Sequence, residues 1–223
     1  MSKSVAIITA RGGSKRIPRK NIKSFLGKPI IAYGIEVAMK SQLFSDVIVS
    51  TDDDEIAKVS KQFGATVPFK RSPEFSNDKA TTDDVLNETF AVFQKMGKFY
   101  NYACCIYPTA VFVTPEMLQS AHLMLTQNDS DFVFPYTKFS YPVDQRFSVN
   151  KNGYIHAMKP EEKGNFFHDA GQFYFFETRR FIKRKTLMSD KTRGIFLDES
   201  VVHDINDPDD WSIAEKKYQK LSK

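Results

Sequence analysis

The chain of 223 residues contains no apolar run that approaches the roughly 20 residues needed to span a bilayer. Its first apolar run, residues 5–8, is also far too short for the core of a signal peptide. Only two cysteines occur, Cys104 and Cys105, and they are neighbours. Neighbours in a strand point to opposite faces, so a mutual disulfide is not expected. Together these absences predict a cytoplasmic protein without membrane contact. Internal repeats and low-complexity segments are also missing. The formal charge of +5 is modest, and acids at 52–55 and 207–210 interrupt the basic residues. That excludes a broad nucleic-acid surface and favours a local preference for a small anion. Neither G-x-x-x-x-G-K-[ST] nor G-x-G-x-x-G is present, so the P-loop and the dinucleotide fingerprint are excluded too.

What the chain does have is V-A-I-I-T-A-R-G-G-S-K-R-I-P-R-K-N at residues 5–21. A buried strand runs into a turn with Gly12, Gly13 and Ser14. Five cations, Arg11, Lys15, Arg16, Arg19 and Lys20, fall within ten residues. Glycines let backbone N–H groups approach an oxyanion, and Lys and Arg supply charge and donors suited to phosphate. The stretch reads as a polyphosphate receiver.

Strand and helix patterns then alternate. Residues 30–40 read as a helix after Pro29, and 46–51 as a buried strand. A helix follows at 55–63, capped by Asp53 or Asp54, and then a short strand at 66–69. A polar loop at 71–82 precedes a helix at 82–96, for which Thr82 taken alone is an N-cap. Strands are expected at 102–107 and 132–136, with a helix from Thr114 to about residue 126 between them. This alternation predicts an α/β fold, a mostly parallel open sheet with helices on both faces. Ligands bind beyond the carboxyl ends of such strands. Residues 137–172 are rich in Phe, Tyr and Gly, with Asn152-Gly153 a hairpin signal. They read as a β-rich arm inserted in a single domain of residues 1–223, covering the site or making a subunit contact. Strands at 173–176 and 201–205 and a helix at 208–221 complete the chain.

The string R-G-G-S-K-R-I-P-R-K-N-I resembles the signature of the cytidylyltransferases that activate nonulosonic sugar acids, the CMP-sialic acid synthetase family. The likeness continues through L-G-K-P-I-I-A-Y, V-I-V-S-T-D-D-D-E-I, R-S-P-E-F-S-N-D-K-A-T-T-D-D-V and D-I-N-D-P-D-D-W, in order and over most of the chain. Y-P-T-A-V-F at 107–112 and H-D-A-G-Q-F-Y at 168–174 are more similar to the pseudaminate branch than to the N-acetylneuraminate branch, although Val111 stands where that branch usually has proline. A Rossmann-like nucleotidyltransferase fold follows from the resemblance.

The resemblance implies a site residue by residue. Arg11 and Lys20 would contact the CTP triphosphate and act in catalysis. Gly12, Gly13, Ser14 and Lys15 would form the cradle, and Asn21 would touch the nucleotide. Arg71 and Thr82 match positions that read cytosine and ribose. Asp204 would hold Mg²⁺, with Asn206 a weaker ligand because the family pattern is D-x-D there. Tyr107, Gln145, Arg146, His168, Asp169 and Gln172 are candidates for the sugar acid. A homodimer is implied as well.

Each residue also has a plainer reading. Arg71 alone suits a surface arginine, Asp204 a solvated acidic turn, and Asp52 to Asp54 a helix cap. Asp207 reads as the cap of the last helix, and His168 as a structural residue as readily as a ligand. His122 and His156 default to structure. Two alternatives stay open beside pseudaminate activation. One is the same reaction on N-acetylneuraminate, legionaminate or 3-deoxy-manno-octulosonate. The other is a nucleotide-binding relative without activity.

Overall fold

The computed structural model describes residues 3–140, 147–149, 155–157 and 166–221. In chain order the elements are β1 (Ser4–Thr9), β2 (Ser24–Phe25), β3 (Lys28–Pro29), α1 (Ile30–Lys40), β4 (Asp46–Ser50), α2 (Asp54–Gln62), α3 (Thr82–Lys95), β5 (Tyr102–Ile106) and α4 (Pro115–Gln127). Then follow β6 (Phe132–Lys138), β7 (Phe147–Val149), β8 (Ile155–Ala157), β9 (Phe167–Asp169), β10 (Phe173–Glu177), α5 (Thr178–Arg184), β11 (Thr192–Phe196) and α6 (Pro208–Leu221).

The main sheet has the order β11-β6-β10-β5-β1-β4, with β9 paired to β6. β1 is parallel to both β4 and β5, in a register that sets Thr9 beside Ser50 and Ile8 beside Ile106. The loops after these three strands therefore leave from one edge. β4 and β5 flank β1 on opposite sides, so the winding direction reverses there, and such switch points are where open α/β sheets bind ligands. β10 runs antiparallel between β5 and β6, while β11 and β6 are parallel. The α/β sheet is thus mostly parallel along β4, β1, β5, β6 and β11, and β10 is inserted against that direction.

Two-residue periodicity divides the core. Ala6, Ile8, Val47, Val49, Cys104 and Ile106 face one side, where Ile31 and Ile35 of α1, Ile56 of α2 and Leu118 of α4 pack. Val5, Ile7, Ile48, Ala103 and Cys105 face the other, under Leu86, Phe90 and Phe93 of α3 and Phe181 of α5. The adjacent cysteines lie on opposite faces, free and buried, as their spacing predicts.

A third cluster matters most for the site. Phe25, Tyr33, Ile17, Phe112, Ile205 and Trp211 pack together, with the Phe25 and Trp211 rings 5.5 Å apart. It ties α6, near the end of the chain, to the loop that follows β1. Asp207 caps α6 by accepting the N–H groups of Asp209 and Asp210.

Several expectations are corrected. Residues 66–69 form no strand, because only Thr66 and Lys70 bridge to neighbours. Residues 201–205 form none either; a 3-10 turn at Glu199–Val201 leads into an irregular run. A strand at Thr192–Phe196 stands at the sheet edge where none is expected. The cap of α3 is Thr81 in a reciprocal box with Asp84, not Thr82. In the aromatic arm, β7 and β8 pair antiparallel as the hairpin signal predicts, though Asn152-Gly153 lies outside the described residues.

Candidate active site

The loop after β1 is held from beneath by the loop after β4. The Gly12 N–H donates to Asp52 Oδ1 at 2.9 Å. A Cβ on Gly12 would sit 2.8 Å from Asp53 Oδ2, so glycine is required for this approach. Ser14 donates its N–H to the Gly12 carbonyl at 3.0 Å and tightens the turn. The expected oxyanion cradle is thus partly used up, since the N–H groups of Gly12 and Ser14 already have partners. Gly13, by contrast, faces open space.

Further along, Arg19 adopts a left-handed backbone, φ 55°. Its guanidinium makes two bonds to Asp53, at 2.6 and 2.9 Å, and one to Glu55 at 2.6 Å. Asp53 also caps α2 through the N–H groups of Glu55 and Ile56. The Arg19 hydrogen bond is the main cause holding the Asp53 carboxyl down at about 2. Arg19 is therefore a structural cation, consumed in fixing the loop.

The remaining cations face a cavity of about 330 Å³ lined by Arg11, Lys15, Arg16, Lys20, Asn21, Tyr107, Asp204 and Asn206. Lys20 donates to the Ile205 carbonyl at 2.8 Å. Burial lowers its pKa, opposed by Asp204 and reinforced by Arg16 and Arg11. Asn21 is buried and donates to the Arg11 carbonyl at 2.9 Å. Its Oδ1 is buried without a partner, an acceptor suited to a ligand hydroxyl or N–H. Arg11 and Lys15 both reach Asp78, at 2.8 and 2.5 Å, from the polar loop before α3.

Asp204 enters the same cavity from the far end of the chain. One of its oxygens accepts the Asn206 side-chain amide at 2.6 Å. The Asn206 oxygen is itself engaged, accepting from Arg16 at 2.7 Å. No group of three His, Cys, Asp or Glu residues able to hold a metal occurs among the described residues. A single carboxylate still fits Mg²⁺, which keeps water ligands and binds through one or two carboxylates plus substrate phosphates.

A second cavity, about 270 Å³, lies beside the first and is lined by Thr82, Tyr107, Phe134, Tyr174, Leu187 and Met188 among others. Tyr107 belongs to both. Its hydroxyl lies 2.9 Å from that of Thr82. Tyr174 donates to Asp169 Oδ2 at 2.5 Å, and Asp169 Oδ1 accepts the Gly171 N–H at 2.7 Å. Burial raises the pKa of Tyr107, while its hydrogen bonds to Thr82 and Tyr174 oppose that rise. Burial raises the Tyr174 phenol as well, so both phenols stay neutral.

Not every expected residue joins these cavities. Arg71 is 4% exposed and donates to the Ser50 hydroxyl at 3.0 Å and to the Ser50 carbonyl. Burial brings its pKa down to about 10. It sits beneath the carboxyl end of β4, where a surface arginine was the plain expectation. Thr82 lines the second cavity, not the cationic one. Gln172 is buried, donates to the Val201 carbonyl at 2.8 Å and lines neither cavity. It braces the run that leads to Asp204. His168 is exposed against the Phe139 ring. Gln145 and Arg146 lie outside the described residues. Sequence reasoning missed Asp78, whose only signal is a carboxylate in a polar loop, and left Asp52 as a cap.

A family model described as cytidylyltransferase matches residues 5–214. The chain is 35% identical over 224 residues to the pseudaminic acid cytidylyltransferase of Campylobacter jejuni, covering 97% of each. It is 30% identical to the CMP-N,N'-diacetyllegionaminic acid synthase of Legionella pneumophila, covering 95% of this chain and 94% of that one. Among solved structures, CMP:2-keto-3-deoxy-manno-octonic acid synthetase complexed with CTP superposes with a TM-score of 0.72 at 18% identity, over 99% of this chain and all of that one.

Proposed function

Because this chain belongs to the cytidylyltransferase family, we propose that it transfers CMP from CTP to pseudaminic acid, releasing pyrophosphate. The observation that carries the reading is the convergence of Arg11, Lys15, Arg16 and Lys20 with Asp204 around one cavity that shares Tyr107 with its neighbour. Dispersed, fixed cations suit a triphosphate and the charge that develops on departing pyrophosphate. The orphaned Asn21 oxygen offers an acceptor to the nucleotide or the sugar.

The anomeric 2-hydroxyl of the sugar acid attacks the α-phosphorus in line, the bond to the bridging oxygen of pyrophosphate breaks, and the hydroxyl proton is released to water. Lys20 and Arg11 hold the phosphates, and Asp204 would hold Mg²⁺ with its second oxygen. Bound there, the ion would neutralise phosphate charge. The second cavity places phenol and threonine hydroxyls beside the apolar walls of Phe134, Leu187 and Met188. That mixture suits a sugar acid with acylamido groups.

A homodimer belongs to the same reading. Phe139, Phe166, Phe167 and Phe196 are each more than 40% exposed near the base of the arm. Such a patch is characteristic of an interface. No helix among the described residues is long and apolar enough to cross a membrane.

Pyrophosphate release from CTP tests the reaction, with pseudaminate, N,N'-diacetyllegionaminate, N-acetylneuraminate and 3-deoxy-manno-octulosonate as acceptors. Pseudaminate should give the highest kcat/KM. Faster turnover of any other acid rejects the acceptor assignment, and no turnover with any of them rejects the enzyme. Light scattering after gel filtration checks the dimer, and a mass near 25.6 kDa would reject it.

A further inference from the structure

We infer that Asn206 is a positioning residue that holds Arg16 as an additional triphosphate-binding cation, and that it is not a second metal ligand. The inference rests on the proposed use of CTP. The Asn206 side chain has a single atom able to ligate a metal, its Oδ1, and that atom accepts from Arg16 Nη2 at 2.7 Å. Its amide nitrogen donates to Asp204 Oδ2 at 2.6 Å. The two partners fix the orientation of the amide. Reversed, its NH₂ would face a guanidinium, which has no acceptor, and its oxygen would face a carboxylate, which has no proton to give. The backbone is pinned as well, because the Asn206 N–H donates to Asp210 Oδ2 at 2.8 Å. A divalent cation added to Oδ1 would lie against the Arg16 guanidinium, and like charges so close repel.

The consequence for Arg16 is its charge. Arg11 and Lys15 share Asp78, and Arg19 is committed to Asp53 and Glu55. Arg16 instead rests on a neutral amide, so its charge is not cancelled by a carboxylate, and it lines the cavity beside Lys20. An aspartate at 206 would hold Arg16 equally well but would neutralise it. The neutral residue thus leaves the cavity with one carboxylate for a metal and one more uncompensated cation for phosphate.

Calorimetry of CTP binding in EDTA, together with Mn²⁺ titration of the protein–CTP complex by electron paramagnetic resonance, separates the two roles. Arg16→Ala should weaken metal-free CTP binding about tenfold, the size of one charged hydrogen bond. Asn206→Asp should weaken it at least as much and Asn206→Ala somewhat less. Arg16→Ala combined with Asn206→Ala should be no weaker than Arg16→Ala alone. Mn²⁺ affinity should be unchanged in Asn206→Ala, raised in Asn206→Asp and lost in Asp204→Ala. Unchanged CTP binding in Arg16→Ala overturns the inference, as does a loss of Mn²⁺ affinity in Asn206→Ala like that in Asp204→Ala. A wild-type protein that binds no CTP overturns the underlying reading as well. A wild type that binds and turns over CTP, matched by Arg16→Ala, overturns this inference alone.

Discussion

The Asp78 carboxylate lies 2.8 Å from the guanidinium of Arg11, and its other oxygen is 2.5 Å from the Lys15 ammonium. A single acid thus occupies two cations that face the cavity, and on the proposed use of CTP a phosphate would have to displace it.

Asp78 therefore competes with the triphosphate. The pairs are exposed, so solvent screening leaves them weak. Asp78→Asn should lower the KM for CTP by about two- to fivefold at low salt, with little change in kcat, and the gain should vanish near ~1 M salt. Initial rates at two ionic strengths check this. A raised KM would mean that Asp78 shapes the loop for binding.

Gly12→Ala places a methyl 2.8 Å from Asp53 Oδ2 and 2.9 Å from Asp53 Cβ. The loop must lift and lose its bond to Asp52. Misplacement of a binding loop by about 1 Å costs on the order of 100-fold in rate, and that loss in kcat/KM is expected. Gly13→Ala meets nothing within 4 Å and should lose far less. Equal losses in the two variants would show that steric fit at Gly12 is not the cause.

Tyr107→Phe removes the hydroxyl that meets Thr82 at 2.9 Å while keeping the ring between the two cavities. The KM for the sugar acid should rise about tenfold, the cost of one hydrogen bond in a partly buried site. Metal-free CTP affinity should stay within about twofold. An equal loss for both substrates would place Tyr107 on the nucleotide.

Asp53 carries a pH signature. Its carboxyl is depressed from 3.8 to about 2, chiefly by Arg19. A depressed acid contributes stability that is fully present above its unfolded pKa and is lost as pH falls through the folded one. Asp53→Asn keeps an acceptor for the cap but removes the charge. The stability difference between wild type and variant should hold from pH 7 to about 5 and shrink towards pH 2. Urea unfolding at stepped pH measures it. A difference that persists undiminished at pH 2 would contradict the role of the ion pair.

What the sequence made legible follows the strength of each local signal. The runs 5–8, 47–49 and 103–106 are uninterrupted by charge because they are buried on both faces, and all three lie in strands. Residues 192–196, T-R-G-I-F, were invisible as a strand. They form a half-exposed edge in which Gly194 lies under the Tyr136 ring, and neither feature leaves an alternating pattern. Residues 201–205 looked apolar enough for a strand. Their carbonyls accept instead from side chains, Ile205 from Lys20, Val201 from Gln172 and Val202 from Lys217. The cations of the loop were legible as a group. Their division was not, because which acid reaches which base depends on loops distant in sequence. Asp53 claims Arg19, Asp78 claims Arg11 and Lys15, and Asn206 leaves Arg16 charged.

The packing of Phe25 against Trp211 also bears on the order in which the protein is made. A chain emerging from the ribosome has β1, β4 and β5 to pair before Asp204 and α6 are synthesised. It cannot then build the cationic cavity, whose opposite wall is Asp204 held in place by Ile205 and the helix behind it. A chain stopped before Asp204 would lack that wall, so the cavity is closed only after the segment that carries Asp204 and α6 has been made.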